Sequence, residues 1–266
     1  NEDIDKKNTA LIITVYDLVH EKFSSLYKKE KKQEKFGILK NVDHFICISK
    51  TTQTDFVNYY KIPKKKTSVI YLGCDHLKKN KIKNFNLKLP KKFLLYVGSR
   101  DGYKNFEILV KAINLLKKNY ELKVVCFGGG NFTKLEIEKY NFENNFINIQ
   151  GGDDLLYFLY TKALALTNTS KYEGFGITNV EAMRIGCPVI SSDNKTLKEI
   201  GSNACLYFKN NNYRDLAKKL KIFLYKEKIR KQFIKKGHIR SKVFTWKNCA
   251  KKTKKLYQIL SGSIIT

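Results

Sequence analysis

Two glutamates, Glu173 and Glu181, stand on either side of a Gly174-Phe175-Gly176 turn. Ionised carboxylates only accept hydrogen bonds, so such a pair suits a general acid and base or two clamps on the hydroxyls of one ligand. The run that follows has apolar residues at Val180, Met183 and Ile185 and stops at Gly186-Cys187-Pro188. Glu173 is therefore predicted in a loop and Glu181 in the first turns of a helix. The amides of Gly174, Phe175, Gly176 and Ile177 then point the same way as the first free N–H groups of that helix and favour an anion. The loop-to-helix offset favours clamps on an extended ligand over an acid/base dyad. Taken alone, Glu181 is also explained as a helix N-terminal charge.

A second constellation lies at Gly98–Lys104, where an apolar run, Phe93–Val97, meets a glycine turn that opens a helix. That is the general form of a phosphate-binding corner. Arg100 sits in the turn, and Lys104 is predicted in the first helical turn, where the helix dipole disfavours a cation unless an anion shares the site. The chain has 52 Lys and Arg together but only five arginines, at 100, 184, 214, 230 and 240, so a forked donor marks a selected place. Gly128 heads a Gly128-Gly129-Gly130 turn after another apolar run; it either admits a nucleotide close to the backbone or only turns a corner.

These residues need an α/β scaffold. Ala10–Val15, His44–Ile48, Ser68–Leu72, Phe93–Val97, Leu122–Phe127, Phe146–Ile149, Ala163–Leu166 and Val189–Ile190 read as short buried parallel strands. Between them, helices are predicted over 24–40, from Ser49 to Tyr60, over 153–163, and after Lys104 with Phe106, Leu109, Val110, Ile113 and Leu116 on one face. Alternation at this tempo implies βαβ units. The end is helical over Tyr213–Tyr225, 226–242 and 246–260, the last with Trp246, Cys249, Ala250, Leu256, Tyr257 and Leu260 facing inward. Residues 81–90, polar and lysine-rich, are the expected linker between a first domain over 1–80 and a second over 91–244, with 245–266 a C-terminal helix.

At 266 residues and 42% hydrophobic content the chain can build a core. The formal charge of +28 is spread over nearly every segment, without the aromatic interleaving or zinc spacing of nucleic-acid readers. The favoured reading is a residue bias over solvated faces with some attraction to an anionic membrane surface, and specific nucleic-acid binding is set well behind. Six cysteines without a Cys-x-x-Cys pair read as buried thiols of a cytoplasmic protein, and no metal site is expected. No apolar run is long enough to span a bilayer.

The run Glu173-Gly-Phe-Gly-Ile-Thr-Asn-Val-Glu181, with Gly186-Cys-Pro-Val-Ile-Ser-Ser192, resembles the Glu-x7-Glu motif of the retaining glycosyltransferases of family 4. Tyr96–Phe106 resembles that family's donor-phosphate loop, and Asp153–Ala165 its approach helix and strand. Ile48-Ser49 and Ile70–Asp75 resemble the end of its N-terminal domain, and Phe244-Thr-Trp-Lys247 its C-terminal crossover. The resemblance implies a GT-B architecture, a Rossmann-like donor domain joined to a partial Rossmann-like N-terminal domain facing it across a cleft. It also implies metal-independent transfer of sugar from a nucleoside-diphosphate sugar, with retention, to a glycan or lipid-linked acceptor.

By position, Arg100 and Lys104 would hold the diphosphate, and Glu173 with Gly174, Phe175, Gly176 and Ile177 would meet the sugar and distal phosphate. Glu181 would take the ribose hydroxyls, and Gly128 joins the donor-binding candidates. No cofactor beyond the sugar nucleotide is expected. Two departures matter. Tyr16 stands before Asp17 where the family usually carries His, and only about ten residues precede the first strand, so the chain reads as the later part of an enzyme. The expected place of work is the cytoplasm, peripheral at the inner face of the membrane, in surface polysaccharide or glycolipid synthesis. A donor-binding remnant with weak catalysis is the alternative, and a basic nucleic-acid binder the distant third.

Overall fold

Runs of Val, Ile, Leu and Phe four or five residues long cannot present a polar face, so they become strands covered on both sides. The computed structural model describes residues 9–26, 37–77, 85, 87–100, 102–116, 121–140, 142 and 145–262. Residues 27–36 of the helix expected over 24–40, and 81–84 and 86 of the linker expected over 81–90, lie outside the described residues.

The chain divides into two units: Asn1–Gly73 with Glu173–Phe175 and Phe244–Thr266, and Cys74–Tyr172 with Gly176–Val243. The sequence reading does not anticipate that three residues of the Glu173 turn group with the first unit while both flanks belong to the second.

In the first unit, strands β1 (Ile12–Val15), β2 (His44–Cys47) and β3 (Thr67–Val69) form a parallel sheet in that order. Helix α1 (Val19–Lys22) follows β1, and α2 (Lys50–Tyr60) follows β2. Ser49 caps α2, accepting from the Thr52 amide at 2.9 Å, which fixes the start read from sequence. Phe45 of β2 packs on Phe56 of α2 with centroids 4.8 Å apart, beside buried Leu18, Val42 and Tyr60. β3 is shorter than the predicted Ser68–Leu72: the Ile70 amide still bonds the Cys47 carbonyl at 3.0 Å, and the chain then leaves the ladder.

The second unit holds a parallel sheet of order β6-β5-β4-β7-β8-β9. Its strands are β4 (Phe93–Val97), β5 (Lys123–Phe127), β6 (Phe146–Ile149), β7 (Ala165–Asn168), β8 (Val189–Ser192) and β9 (Cys205–Phe208). β7 begins and ends two residues later than predicted, and β9 was not predicted. Between them run α3 (Phe106–Leu116), α4 (Lys134–Tyr140), α5 (Asp153–Lys162), α6 (Ile177–Ile185) and α7 (Lys195–Gly201), then α8 (Tyr213–Tyr225) and α9 (Glu227–Ser241). The face of α3 read from its periodicity is the buried one, and Phe106 anchors an aromatic cluster with Tyr96, Phe142 and Phe146.

The chain passes outward from β4 to β5 and β6, then returns to the other side of β4 for β7, β8 and β9. The strand order therefore reverses between β4 and β7. In open parallel sheets the crevice at the carboxyl ends of such a pair is where ligands bind.

Helix α10 (Trp246–Leu260) belongs to the first unit. Its inward stripe is narrower than predicted. Leu256 is buried against Ile46 and Ile70, with Cys249 and Leu260 partly covered, but Trp246 and Tyr257 are about half exposed. The Trp246 backbone is nonetheless close-packed, because Gly73 abuts it and leaves no room for a Cβ. All six cysteines are thiols, and five are buried; burial pushes Cys47, Cys126, Cys187 and Cys205 up to about 12, so they are inert at neutral pH. Among the described residues no helix is long and apolar enough to cross a membrane, and no group of His, Cys, Asp and Glu could hold a metal ion.

Candidate functional site at the strand-order reversal

Two chain segments leave the sheet at the reversal, and they are laced together. After β4, Gly98 adopts φ 116 and the chain enters a 3-10 turn, Gly102–Lys104. After β7, the Thr169 hydroxyl donates to the Lys104 carbonyl at 2.8 Å, and the Lys171 amide donates to the Tyr103 carbonyl at 2.8 Å. Lys104 thus lies in this turn rather than in the first turn of α3, because Asn105 adopts φ 56 and separates the two. It remains at the amino end of α3, where a cation gains nothing from the helix dipole. Its ammonium stands 5.1 Å from the Tyr103 ring centroid. Next to it, the Asn105 side-chain amide nitrogen is buried and has no hydrogen-bond partner among the described residues. A buried donor of this kind asks for an explanation, and a ligand acceptor supplies one.

Helix α6 opens beside the same corner of the unit. Its N-cap is Gly176 at φ 81, and no side chain among the described residues caps it. The positive φ of Gly176 favours glycine, and a Cβ there would also displace the Leu197 Cδ2 methyl. An uncapped helix start presents N–H groups and the positive end of the dipole to any anion that arrives. The helix is held by a buried polar ladder. Asn168 Nδ2 donates to Asn179 Oδ1 at 3.0 Å, and Asn179 Nδ2 donates to Ser191 Oγ at 3.1 Å. Ser192 and Asn194 both donate to the Ser170 carbonyl, at 2.6 and 2.9 Å. These bonds tie α6 to the ends of β7 and β8, so its amino end is fixed before any ligand binds.

Glu181 lies on α6 and is only 6% exposed. Tyr160 of α5 donates its hydroxyl to Oε2 at 3.0 Å, and His76 Nε2 stands 3.1 Å from Oε1. Burial pushes the Glu181 carboxyl above its ordinary range; the Tyr160 and His76 bonds offset only part of that. Burial likewise holds the Tyr160 hydroxyl well above its usual value, so it stays a donor. Neither Tyr160 nor His76 was singled out from sequence. The signal for Tyr160 is weak: a tyrosine on the inward face of α5, whose hydroxyl must find a partner once buried.

Arg100 does not stand as the sequence reading has it. Its side chain is 3% exposed, and the N–H groups of its guanidinium are spent inside the protein. Nε donates to Glu136 Oε1 at 2.6 Å and Nη2 to Glu136 Oε2 at 3.2 Å. Nη1 reaches the carbonyls of Gly128 and Gly130, each at 3.2 Å; Nη2 reaches those of Gly129 and Asn131, at 3.2 and 3.0 Å. Phe132 covers the guanidinium, 4.9 Å from its centroid. A direct hold on a diphosphate would have to break this set; as it stands, Arg100 braces the glycine turn. Glu136 is also bonded by the Thr133 amide and hydroxyl, at 2.8 and 3.1 Å. Burial acts to raise its carboxyl, but the Arg100 and Thr133 bonds outweigh this and hold it below the usual range.

Gly128, Gly129 and Gly130 all have positive φ, at 78, 71 and 74. Gly129 packs so closely on the Gly98–Arg100 turn that a Cβ would lie 2.6 Å from the Gly98 carbonyl oxygen. The glycines serve this corner, whatever else they do.

The remaining candidates belong to the first unit. Gly174 abuts the Tyr16 carbonyl with no space for a Cβ, and its own carbonyl accepts from the Thr52 hydroxyl at 3.1 Å. Phe175 packs edge-on against Phe244, with centroids 5.5 Å apart, and against Tyr71. Glu173 is half-buried, and Tyr16 is 58% exposed. Asp17, just before α1, accepts from the Val19 amide at 2.9 Å. Lys104, Gly128, Gly176, Ile177 and Glu181 are thus gathered in one unit, and Tyr16, Glu173, Gly174 and Phe175 in the other.

Comparison with known proteins places this arrangement. Residues 78–240 match the profile of glycosyl transferases group 1, and residues 4–77 that of glycosyltransferase family 4. An uncharacterized glycosyltransferase of Methanocaldococcus jannaschii is 31% identical over 229 residues, 83% of this chain and 61% of that protein. The O-antigen chain mannosyltransferase of Salmonella typhimurium is 30% identical over 173 residues, 64% of this chain and 47% of that one. The chain thus spans about half to three-fifths of the length of these relatives. Among solved structures, a sucrose-phosphate synthase from Thermosynechococcus elongatus superposes with a TM-score of 0.78 at 23% identity, covering 95% of this chain and 68% of that one. The architecture is GT-B, and the chain belongs to the glycosyl transferases group 1 family.

Proposed function

We propose that the second unit binds a nucleoside-diphosphate sugar at the reversal between β4 and β7, and that the whole protein transfers its sugar, with retention, to a growing surface glycan or lipid-linked acceptor. The observation that carries this reading is the pairing of a cation, Lys104, on a turn bonded to the β7 exit with the uncapped start of α6. In this reading Lys104 and the α6 amides, beginning at Ile177, meet the diphosphate. Glu181 accepts from the ribose hydroxyls, and Glu173 with the Gly174–Gly176 backbone addresses the sugar. The buried Asn105 amide supplies a further donor beside Lys104.

Charge that develops on a departing diphosphate is met here by fixed donors. Each charge-assisted bond contributes about 1.5–3 kcal/mol, so a few account for a useful share of a catalytic effect, with no metal needed. The relative named as an O-antigen chain mannosyltransferase supports a surface polysaccharide as the acceptor class, and the charge of +28 suits work at an anionic membrane from the cytoplasmic side.

The test is transfer from a panel of sugar nucleotides, with product stereochemistry read by NMR and the assay repeated after chelation. Donor and product anomers of the same configuration, formed equally with chelator, are expected. An inverted product or a chelator-dependent rate contradicts the mechanism; failure of the purified chain to bind any nucleoside diphosphate contradicts the donor site itself.

A further inference from the structure

Arg100 and Glu136 join a side chain from the β4 turn to the first turn of α4, and the chain between β5 and α4 is wrapped around the guanidinium. Four successive carbonyls, those of Gly128, Gly129, Gly130 and Asn131, turn onto it. No peptide bond among the described residues is cis. In a trans peptide the N–H points away from its own C=O. The amides of Gly129, Gly130, Asn131 and Phe132 are therefore directed away from Arg100, and Gly129, Gly130 and Asn131 lie on the exposed side of the loop. Gly130 and Gly128 carbonyls are further held by Gln150 Nε2, and Gly130 by Asn148 Nδ2 at 2.9 Å. An array of outward N–H groups, fixed by a buried cation behind it, is an acceptor-binding concavity of the kind backbone amides make for phosphates and nucleotides.

We propose that Arg100 is a positioning residue for the donor: together with Glu136 it sets the β5–α4 loop so that its amides, rather than its carbonyls, face acceptor atoms of the nucleoside diphosphate. The inference rests on the donor-site reading and adds to it, since it assigns Arg100 no contact with the ligand. The loop follows β5, the neighbour of β4, so it stands one strand spacing, about 4.8 Å, along the sheet edge from the β4 exit. A bound nucleoside diphosphate extends that far from Lys104. Without the brace, the three positive-φ glycines would let these peptides rotate and turn carbonyl oxygens toward an anionic ligand.

Glu136→Gln gives opposite results for a brace and for a phosphate ligand. If Arg100 acts through the loop, the substitution loosens it and weakens binding even though it removes a negative charge and touches no ligand. If Arg100 is itself the phosphate ligand, the same substitution releases it and binding is unchanged or tighter. The experiment titrates UDP, GDP and ADP into the full chain and into Glu136→Gln and Arg100→Lys, with thermal unfolding in parallel and amide exchange of residues 128–132 followed with and without nucleotide.

For the nucleotide that the parent binds best, both variants are expected to weaken affinity about tenfold, one charge-assisted bond's worth, while remaining folded. Nucleotide should protect the Gly129–Asn131 amides in the parent and less so in the variants. Equal or tighter binding by Glu136→Gln, or a lowered melting temperature with unchanged affinity, overturns the proposal and leaves the donor site standing. A parent that binds none of the three refutes the donor site as well.

Discussion

Two carboxylates in the same unit, Glu136 half-buried and Glu181 buried, have opposite fates. Glu136 is held below the ordinary range because the Arg100 and Thr133 bonds outweigh its burial; Glu181 is held above it because its two neighbours do not. Glu136 faces a permanent cation, which makes its ionised form comfortable and its place structural. Glu181 faces a phenol and an imidazole, which leaves capacity on both oxygens for further donors. A carboxyl whose charge is penalised by burial, in the crevice at the strand-order reversal, is a functional candidate. The contrast marks Glu136 as part of a brace and Glu181 as the group proposed to meet a ligand.

The largest way to break the contrast is at Arg100. Arg100→Ala leaves the half-buried Glu136 with only its Thr133 bonds and frees four carbonyls, a loss of about 3 kcal/mol or more at about 0.5–1.5 kcal/mol per bond. Urea unfolding measures it, and a loss below 1 kcal/mol would show that the network is not structural. Glu181→Gln should do the reverse. It should cost donor affinity about 1.5–3 kcal/mol, roughly ten- to a hundredfold, through the lost charge-assisted bonds, yet leave the fold as stable or more so at neutral pH.

Tyr160→Phe sits between these. It strips one bond from a buried oxygen, costs about 1–3 kcal/mol at a pH where Glu181 is ionised, and lifts the Glu181 carboxyl further.

The smallest effect is in the pH dependence, and its sign differs between the two acids. A lowered carboxyl stabilises the fold above its unfolded value and loses that contribution as pH falls through the folded one. The deficit of Glu136→Gln relative to the parent should therefore shrink on acidification below about 4.5. A raised carboxyl destabilises the fold as pH climbs from the unfolded value through the folded one. The melting temperature of Glu181→Gln should thus match the parent's in acid and exceed it above that window. Parallel curves for the two variants would erase the distinction.

Much of the fold was legible because its signals are local. Parallel strands buried on both faces leave unbroken apolar runs, α3 has a clean period, and Ser49 announces α2. The site was legible in its local parts too, the glycine turn before α6 and the lysine before α3. What local reading misses is partnership across the sequence. Arg100 finds its partners 28 to 36 positions away, and Tyr160 meets Glu181 across 21. An arginine beside glycines reads as a phosphate ligand until those partners are seen to consume its donors. Likewise nothing near Glu173 tells that Gly174 packs on Tyr16, a contact made by backbone atoms alone. Strand β9, Cys205-Leu-Tyr-Phe, and the half-exposed Trp246 were missed or misread because four mixed residues, or one ring on a lysine-rich helix, carry no periodicity.

The central claim is that Glu181 is kept buried to accept from the ribose of a nucleoside diphosphate, and one ligand comparison tests it. Affinity is measured for the nucleoside diphosphate that the parent binds best and for its 2′,3′-dideoxy analogue, in the parent and in Glu181→Gln. Removing the hydroxyls should weaken binding to the parent about tenfold or more and change binding to the variant little, because the partner is already gone. An equal loss in both proteins would show that the ribose hydroxyls do not meet Glu181.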